Sequence, residues 1–330
     1  MSLPTAGLRR FTRHADVRQA LLDPRLVFPG QAATDPTAHQ AMRAAIEGAL
    51  TPAALALHVD ALAGYGRVLV DALPEARPVD LLSAMAEPWS LELALRLTPL
   101  QRPLATTATA LARRLFDAAA RSVDGGADPD AADAAPELAA LLAAAPGART
   151  RLGDVQTFVA LTQTLPALLG GIWWALLQQP EALDALLVDP SAVRRSVPEL
   201  MRLGSPARAV FREAAADTVV GKVALCRGER VVLLLSDANR DATRFPDPDR
   251  LDLRRDVTGA LSLGCGLHRC AGAALVQHAA AVATEVLLRR CLTLRPAGPE
   301  HSAPAWRGGF AISAPAALWV VRSARGSNET

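Results

Sequence analysis

A glycine-rich loop around Cys270 is the feature that most restricts what this chain can fold into. The loop runs from Leu261 to Gly272 and contains the spacing G-x-G-x-H-x-C-x-G. Glycines on both sides of the cysteine allow backbone N–H groups to approach its sulfur closely. An apolar segment with helical spacing follows at once, and the start of a helix favours a nearby thiolate. Cys270 is therefore a candidate metal ligand, and a single axial thiolate is one of the known ways to hold haem iron.

The alternative is a glycine-rich turn in front of a helix, with an incidental cysteine. Cysteine usage elsewhere is compatible with both interpretations. The four cysteines show no paired disulfide spacing and no C-x-x-C motif, which predicts a reduced, cytoplasmic compartment where a cysteine stays free to bind a metal.

Charge and hydropathy exclude some classes of partner. The formal net charge is +2, so there is no electrostatic case for nucleic acid or for a membrane surface. Met1 to Ala15 lacks an apolar stretch of signal-peptide length. The one membrane-like window, Val155 to Leu177, contains Gln163 and an interior Pro166. These residues favour a buried core helix over a membrane span, and we expect neither a nucleic-acid nor a membrane partner.

Apolar spacing predicts helices over most of the first two-thirds of the chain and short strands afterwards. A weakly structured connector is expected over Gly125–Asp130. The pattern indicates a mainly α fold with small β-sheets, not a parallel α/β fold. The main predicted helices are 39–49, 52–73, 79–98, 105–122, 155–179, 196–203 and 272–290, and the main predicted strands are 209–212, 218–225, 230–235, 292–294 and 318–321.

An ordered series of motifs from Glu199 onward distinguishes between the two interpretations of the cysteine loop. Before that loop come Glu199-Leu200-Met201-Arg202, then Arg212, then Ala238-Asn239-Arg240, then Phe245-Pro246-Asp247-Pro248-Asp249-Arg250. This order resembles the cytochrome P-450 family, with Leu263 where phenylalanine is usual. The resemblance implies a P-450-like helical fold in a single domain over residues 1–330, with 321–330 as a disordered tail.

The resemblance also implies roles for individual residues. Cys270 would be the axial thiolate of haem b (iron protoporphyrin IX). Arg212 and His268 match positions that pair with the haem propionates, and the planar guanidinium of arginine suits a carboxylate. Glu199, Arg202 and Arg250 resemble the buried Glu-Arg-Arg network of the family, whose role is structural.

A second segment, Asp35 to Arg43, resembles the D-P-x-x-H-x-x-x-R segment of the family. His39 and Arg43 are four residues apart and share one helix face. The resemblance implies that both reach a propionate. Two surface cations near a helix start are the alternative.

The helix that would cross the oxygen-binding side of the haem departs from the family pattern. Thr164 keeps the usual alcohol, whereas Gln163 replaces an acid and Leu161 replaces a glycine. An amide cannot relay a proton by titrating, so we expect Thr164 and Gln163 to form an altered catalytic pair. Pro166 lacks an N–H and would open this turn of the helix.

The match begins near Phe11, which predicts an N-terminally truncated member of the family. Val27–Thr34 and Pro136–Gly153 are short where the family carries covering loops and lid helices. A reduced lid predicts an open pocket, which suits a bulky substrate or one presented by a carrier protein or a partner enzyme.

The leading hypothesis is a haem-thiolate monooxygenase in bacterial secondary-metabolite tailoring, with electrons supplied by a ferredoxin-type donor. A peroxide-driven or redox-neutral haem enzyme would tolerate Gln163. A non-catalytic P-450-like helper of a partner enzyme is the third hypothesis, and the intact Cys270 argues against it.

Overall fold

Helices form most of the chain and small sheets flank them. The computed structural model describes residues 8–29, 36–121, 131–144, 153–298 and 303–324, with backbone alone at 36–39, 42, 49 and 52. The mainly α fold with small sheets is confirmed. The described α-helices are α1 His14–Leu22, α2 Pro36–Ala49, α3 Pro52–Ala56, α4 Val59–Asp71, α5 Glu87–Leu97, α6 Ala105–Arg121, α7 Ala134–Ala143, α8 Asp154–Val159, α9 Leu165–Leu177, α10 Pro180–Val188, α11 Val193–Gly204, α12 Leu235–Ala238 and α13 Ala273–Arg290.

The described strands form four small sheets. A four-stranded sheet has the order β1-β7-β4-β2, and a three-stranded sheet has the order β3-β11-β8. Two hairpins, β5–β6 and β9–β10, complete the set. The strands are β1 Arg9–Phe11, β2 Leu26–Val27, β3 Val79–Asp80, β4 Ala209–Ala214, β5 Thr218–Val220, β6 Val223–Leu225, β7 Arg230–Leu234, β8 Cys291–Pro296, β9 Trp306–Gly308, β10 Ser313–Pro315 and β11 Trp319–Ala324.

One long helical run passes through the centre of the larger hydrophobic core. It consists of α8, a π-helical turn over Ala160–Thr164, and α9. The run Asp154–Leu177 is long and apolar enough to cross a membrane, but 72% of its most apolar window is buried inside the protein. That degree of burial is typical of a core helix.

Helices α9 and α11 cross at two glycines. A Cβ atom at Gly204 would lie 2.5 Å from the backbone of Gly171, so only glycine permits this approach. The crossing fixes α11, which carries Glu199 and Arg202, against the long central run.

A second, smaller core joins α1 to the four-stranded sheet. Its buried members include Val17 and Leu21 of α1, Val231 and Leu233 of β7, and Leu261 at the start of the cysteine loop. The cysteine loop is therefore supported both by α11 and by this sheet.

The helix predicted from Val79 to Thr98 begins later than expected. Residues 79–80 form β3, which pairs with β11, and a π-helical turn over Leu82–Ala86 precedes α5. Asp80 accounts for the change, because its carboxylate accepts from the N–H groups of Leu82 (3.1 Å) and Leu318 (2.7 Å). The predicted connector Gly125–Asp130 lies outside the described residues. The predicted disordered tail, 321–330, was wrong at its start, because residues 321–324 belong to β11 and pair with β8. Residues 325–330 lie outside the described residues.

Candidate functional site

The cysteine loop is attached to α11 through Asn239. The Asn239 side chain accepts from the Leu261 N–H (2.7 Å) and donates to Ser262 Oγ (3.0 Å). Ser262 in turn donates to the carbonyl of Met201 at 3.0 Å. This set of bonds fixes the point where the loop leaves the protein core.

Two glycines then determine the path of the loop. Gly264 has φ +66° and Gly266 has φ +71°, which is left-handed backbone that favours glycine. A Cβ atom at Gly266 would lie 2.7 Å from the carbonyl oxygen of Leu21. The N–H of Cys270 donates to the carbonyl of Leu263 at 2.8 Å and closes the turn.

The Cys270 side chain is held next to the start of α13. Burial raises the pKa of the Cys270 thiol, while the Gly272 N–H and the charges of Arg269 and Arg43 act in the opposite direction. Burial is the larger effect, so the helix start alone does not produce the thiolate that the sequence pattern favours. A bound metal cation would supply the missing stabilisation of the thiolate.

Arg212 on β4 is a buried cation that lacks an anionic partner among the described residues. Arg212 is 3% exposed, and its Nη1 donates to the carbonyl of Phe211 at 2.7 Å. Burial lowers the pKa of Arg212 to about 10, and the charge of the Cys265 thiolate, where it forms, acts in the opposite direction. The guanidinium therefore stays charged at neutral pH, and a ligand carboxylate would compensate it well.

His268 in the cysteine loop and Arg212 on β4 both contact the same aromatic ring, that of Phe28. The guanidinium carbon of Arg212 lies 4.3 Å from the centroid of the Phe28 ring. The His268 ring meets Phe28 edge-on, with centroids 4.7 Å apart. The structure thus brings together the two predicted propionate residues and adds an aromatic ring that sequence reasoning missed.

Arg43 lies against the cysteine loop from the side of α2. Its Nη1 donates to the carbonyls of Leu267 (3.1 Å) and Arg269 (2.5 Å), and its Nη2 pairs with Glu47 at 2.7 Å. These contacts hold the loop on both sides of His268. His39 lies on α2, but its side chain lies outside the described residues.

The donor set fits a haem. Across the part of the chain that the structure describes, no group of three or more His, Cys, Asp or Glu residues could hold a metal ion. A lone cysteine ligand suits an iron whose other ligands come from a prosthetic group. The uncompensated charge of Arg212 suits a carboxylate at the edge of such a group.

A buried ion-pair network lies behind the loop, and its third member differs from the prediction. Arg202 donates from Nε and Nη2 to the two carboxylate oxygens of Glu199, at 2.6 and 2.8 Å. The second cation is Arg255, whose Nε lies 3.0 Å from Glu199 Oε1. The prediction of Arg250 was wrong. Its side chain is exposed and only its carbonyl faces the network, where it accepts from Arg202 and Arg255.

The physical reason for the correction is the turn that precedes Arg250. Asp247 has φ +48°, and the Arg250 N–H returns to the carbonyl of Asp247 at 3.1 Å. Because of this turn, the Arg250 side chain points away from the network, and a later residue supplies the second cation. Glu199 then accepts from the Asp252 N–H at 3.2 Å, which brings Arg255 into reach.

The predicted oxygen-side residues lie on the π-helical turn that precedes Pro166. π-Helical turns are frequent at functional sites. Gln163 is 1% exposed, and its Nε2 lies 3.4 Å from Thr162 Oγ1, which donates to the carbonyl of Phe158 at 2.8 Å. Thr164 is half-buried, whereas all other residues from Leu161 to Trp173 are buried.

Thr164 and Gln163 are therefore placed differently. Gln163 belongs to the interior of the helix packing, and Thr164 is the more exposed of the two residues. The amide of Gln163 can hold a hydrogen bond in this setting but cannot titrate.

A scan against protein-family models finds no match. Among curated proteins, the chain is similar to cytochrome P450 107B1 of Saccharopolyspora erythraea, with 29% identity over an alignment of 333 positions, gaps included, which covers 87% of this chain and 82% of the relative.

Solved structures agree with this similarity. The tirandamycin C-bound P450 monooxygenase TamI matches at a TM-score of 0.77 and 27% identity, over 95% of this chain and 89% of the other. P450BioI, solved in complex with a hexadec-9Z-enoic acid ligated acyl carrier protein, matches in fold at a TM-score of 0.80 and 22% identity, over 95% and 91% of the two chains.

Proposed function

Because the chain belongs to the cytochrome P450 family, we propose that it is a haem-thiolate monooxygenase that modifies a bulky or carrier-tethered organic substrate in bacterial secondary metabolism. The observation that supports the proposal is that Phe28 contacts both the buried, uncompensated Arg212 of β4 and His268, which lies in the same loop as Cys270. Cys270 supplies a ligand for iron and Arg212 a partner for a carboxylate. Haem b contains both an iron and carboxylates, and it is the cofactor we propose.

Each residue then has a defined task. Bound haem would supply the oxygen activation, which no side chain can provide. Cys270 would hold the iron through its sulfur, and Arg212 and His268 would bind the carboxylates. Arg43 would keep the loop around His268 in place through the carbonyls of Leu267 and Arg269.

The network of Glu199, Arg202 and Arg255 has a supporting task in this proposal. Arg202 donates to the carbonyls of Asn239 (2.8 Å) and Pro248 (2.7 Å). It therefore fixes the residue that anchors the cysteine loop. A loop held in advance of binding loses less conformational freedom when the cofactor binds.

The proposed substrate class is supported by two relatives and by the size of the lid region. TamI was solved with tirandamycin C, and P450BioI with an acyl group on a carrier protein. In this chain ten residues, 144–153, separate the end of α7 from the start of the central helical run. A small lid would leave room for a substrate presented by a carrier protein.

We also propose a ferredoxin-type protein as the electron donor.

The test is the carbon-monoxide difference spectrum of the reduced, haem-supplied protein, with two cysteine variants. We expect a thiolate-type Soret band in the wild type and in Cys265→Ser, and its loss in Cys270→Ser. Cys265 is the matched control because it lies in the same loop and is also half-buried. A well-folded wild type that takes up no haem would contradict the proposal and favour the non-catalytic helper.

A second candidate function follows from Gln163. Its side chain is fully buried and stands where the family has an acid. Because an amide does not titrate in the physiological range, Gln163 cannot deliver a proton as that acid would. A peroxide-driven or redox-neutral reaction would not depend on a titrating group at this position.

Single turnovers with peroxide, and with reductant plus oxygen, separate the two candidates. If proton delivery limits the reductant-driven reaction, Gln163→Glu raises its rate by roughly tenfold or more and leaves the peroxide reaction nearly unchanged. Gln163→Leu is the control, because it removes the amide without adding an acid. Equal rates for Glu and Leu in the reductant-driven assay would count against the altered relay.

A further inference from the structure

Phe28 occupies a defined position beside the proposed carboxylate subsite. Strand β2 pairs antiparallel with β4, with Leu26 opposite Ala214 and Val27 opposite Glu213. Continuing this register by one residue places Phe28 opposite Arg212. Side chains that face each other across an antiparallel pair lie on the same side of the sheet and contact each other. Sheet pairing therefore sets the position of Phe28.

The contacts of Phe28 differ from ordinary core packing. The ring faces the Arg212 guanidinium at 4.3 Å and the His268 ring at 4.7 Å. Phe28 itself is 38% exposed, whereas Arg212 is 3% exposed. The ring thus lies between a buried cation and the solvent, and it touches both residues assigned to the haem carboxylates.

From this arrangement we propose that Phe28 is a positioning residue of the cofactor site. It orients Arg212 and His268 toward a haem carboxylate and shields that ion pair from water. The inference rests on the proposed function, because it takes the ligand of Arg212 to be a haem propionate.

Two physical effects support the proposal. A guanidinium over an aromatic face is attracted to it, and the attraction grows when water is excluded. An ion pair is also stronger where the effective dielectric constant is low. The ring therefore keeps Arg212 in place before binding and strengthens the contact afterwards.

The experiment measures haem release from the holoprotein to an excess of apomyoglobin, followed by absorption. We expect Phe28→Ala to release haem about tenfold faster than the wild type, and Phe28→Tyr to stay near the wild-type rate because it keeps the aromatic face. Trp319→Leu is the matched control, since Trp319 is a similarly exposed aromatic residue (40%) on β11, in the three-stranded sheet and not in the sheet that carries Arg212. Its release rate should not change.

A second measurement separates a carboxylate shield from general packing. Haem dimethyl ester has the same macrocycle but no free carboxylates. The difference between the wild type and Phe28→Ala should disappear with this ester, and it should also shrink in an Arg212→Met background.

The outcomes distinguish the two levels of the argument. A wild type that takes up no haem overturns both the proposed function and this inference. A haem-bound wild type whose Phe28→Ala variant releases haem at the same rate or more slowly overturns the inference alone. An equal effect of Phe28→Ala with haem and with its dimethyl ester would also overturn it, because packing would then account for the change.

Discussion

Two buried arginines of this protein have opposite surroundings. Arg202 is 1% exposed and makes hydrogen bonds from Nε, Nη1 and Nη2, two of which go to the Glu199 carboxylate. Arg212 is 3% exposed, and the bond that the structure shows for its guanidinium goes to a backbone carbonyl at 2.7 Å. Both charges are removed from water, but only Arg202 is compensated by a carboxylate among the described residues.

The difference separates a structural residue from a binding residue. A buried charge without a counter-charge is costly to the folded state, so its presence needs a reason other than stability. Arg202 stabilises the fold by joining α11 to the loops that carry Asn239 and Pro248. Arg212 instead provides a charge that a ligand can use.

The largest expected effect on stability follows from replacing Arg202, the arginine that is paired with Glu199. Arg202→Met leaves Glu199 buried with one cation in place of two, and the free energy of unfolding should fall by about 3–5 kcal/mol. Denaturant unfolding of the apoprotein measures the loss. Arg250→Met is the control, because its side chain is exposed, and it should change stability by less than about 0.5 kcal/mol. Equal losses in the two variants would contradict the assignment of Arg255 to the network.

Arg212→Met should act in the opposite direction on the apoprotein. The variant removes an uncompensated buried charge, so the free energy of unfolding should rise by about 1–3 kcal/mol. Haem affinity should fall by roughly tenfold to a hundredfold, because a charge-assisted hydrogen bond is lost. Unfolding of the apoprotein and haem titration measure the two effects. A loss of apoprotein stability as large as that of Arg202→Met would remove the distinction between the two sites.

The sequence was sufficient for the parts of the site that depend on local pattern. The cysteine loop follows from its glycine spacing, and α11 and α13 follow from apolar periodicity, so the structure has these elements close to where they are expected. Glu199 and Arg202 are one turn apart on a single helix, which fixes their contact in advance.

Contacts between distant segments could not be predicted in the same way. Arg250, Arg254 and Arg255 are all close in sequence, and the choice of Arg255 depends on a left-handed turn at Asp247. Phe28 reaches Arg212 through sheet register, which a single short strand does not specify. The sequence did not predict β3, because this short strand depends on pairing with the distant β11 and on the hydrogen bond from the Leu318 N–H to Asp80.

An arginine on the surface extends the comparison and gives the smallest expected effect. Arg25 has a 52% exposed side chain and pairs with Asp23, which also accepts from Thr218 at 2.6 Å. Burial would raise the pKa of Asp23, but the bonds from Arg25 and Thr218 together hold it at about 2.

Asp23→Asn should lower the free energy of unfolding by about 1 kcal/mol at neutral pH, because it removes the charge that pairs with Arg25. The loss is small because Arg25 is exposed, and an ion pair with an exposed cation contributes less than a buried one. The folded pKa is depressed, so this contribution is fully present above the ordinary pKa of 3.8 and is lost as the pH falls through about 2. Denaturant unfolding at several pH values should therefore show the wild type and the variant converging in acid. Asp184→Asn, at an exposed position on α10, should match the wild type throughout. A stability difference for Asp23→Asn that persists unchanged at pH values near 2 would mean that the carboxylate charge is not its cause. The differences in stability expected at Arg202, Arg212 and Arg25 could then not be explained by electrostatics alone.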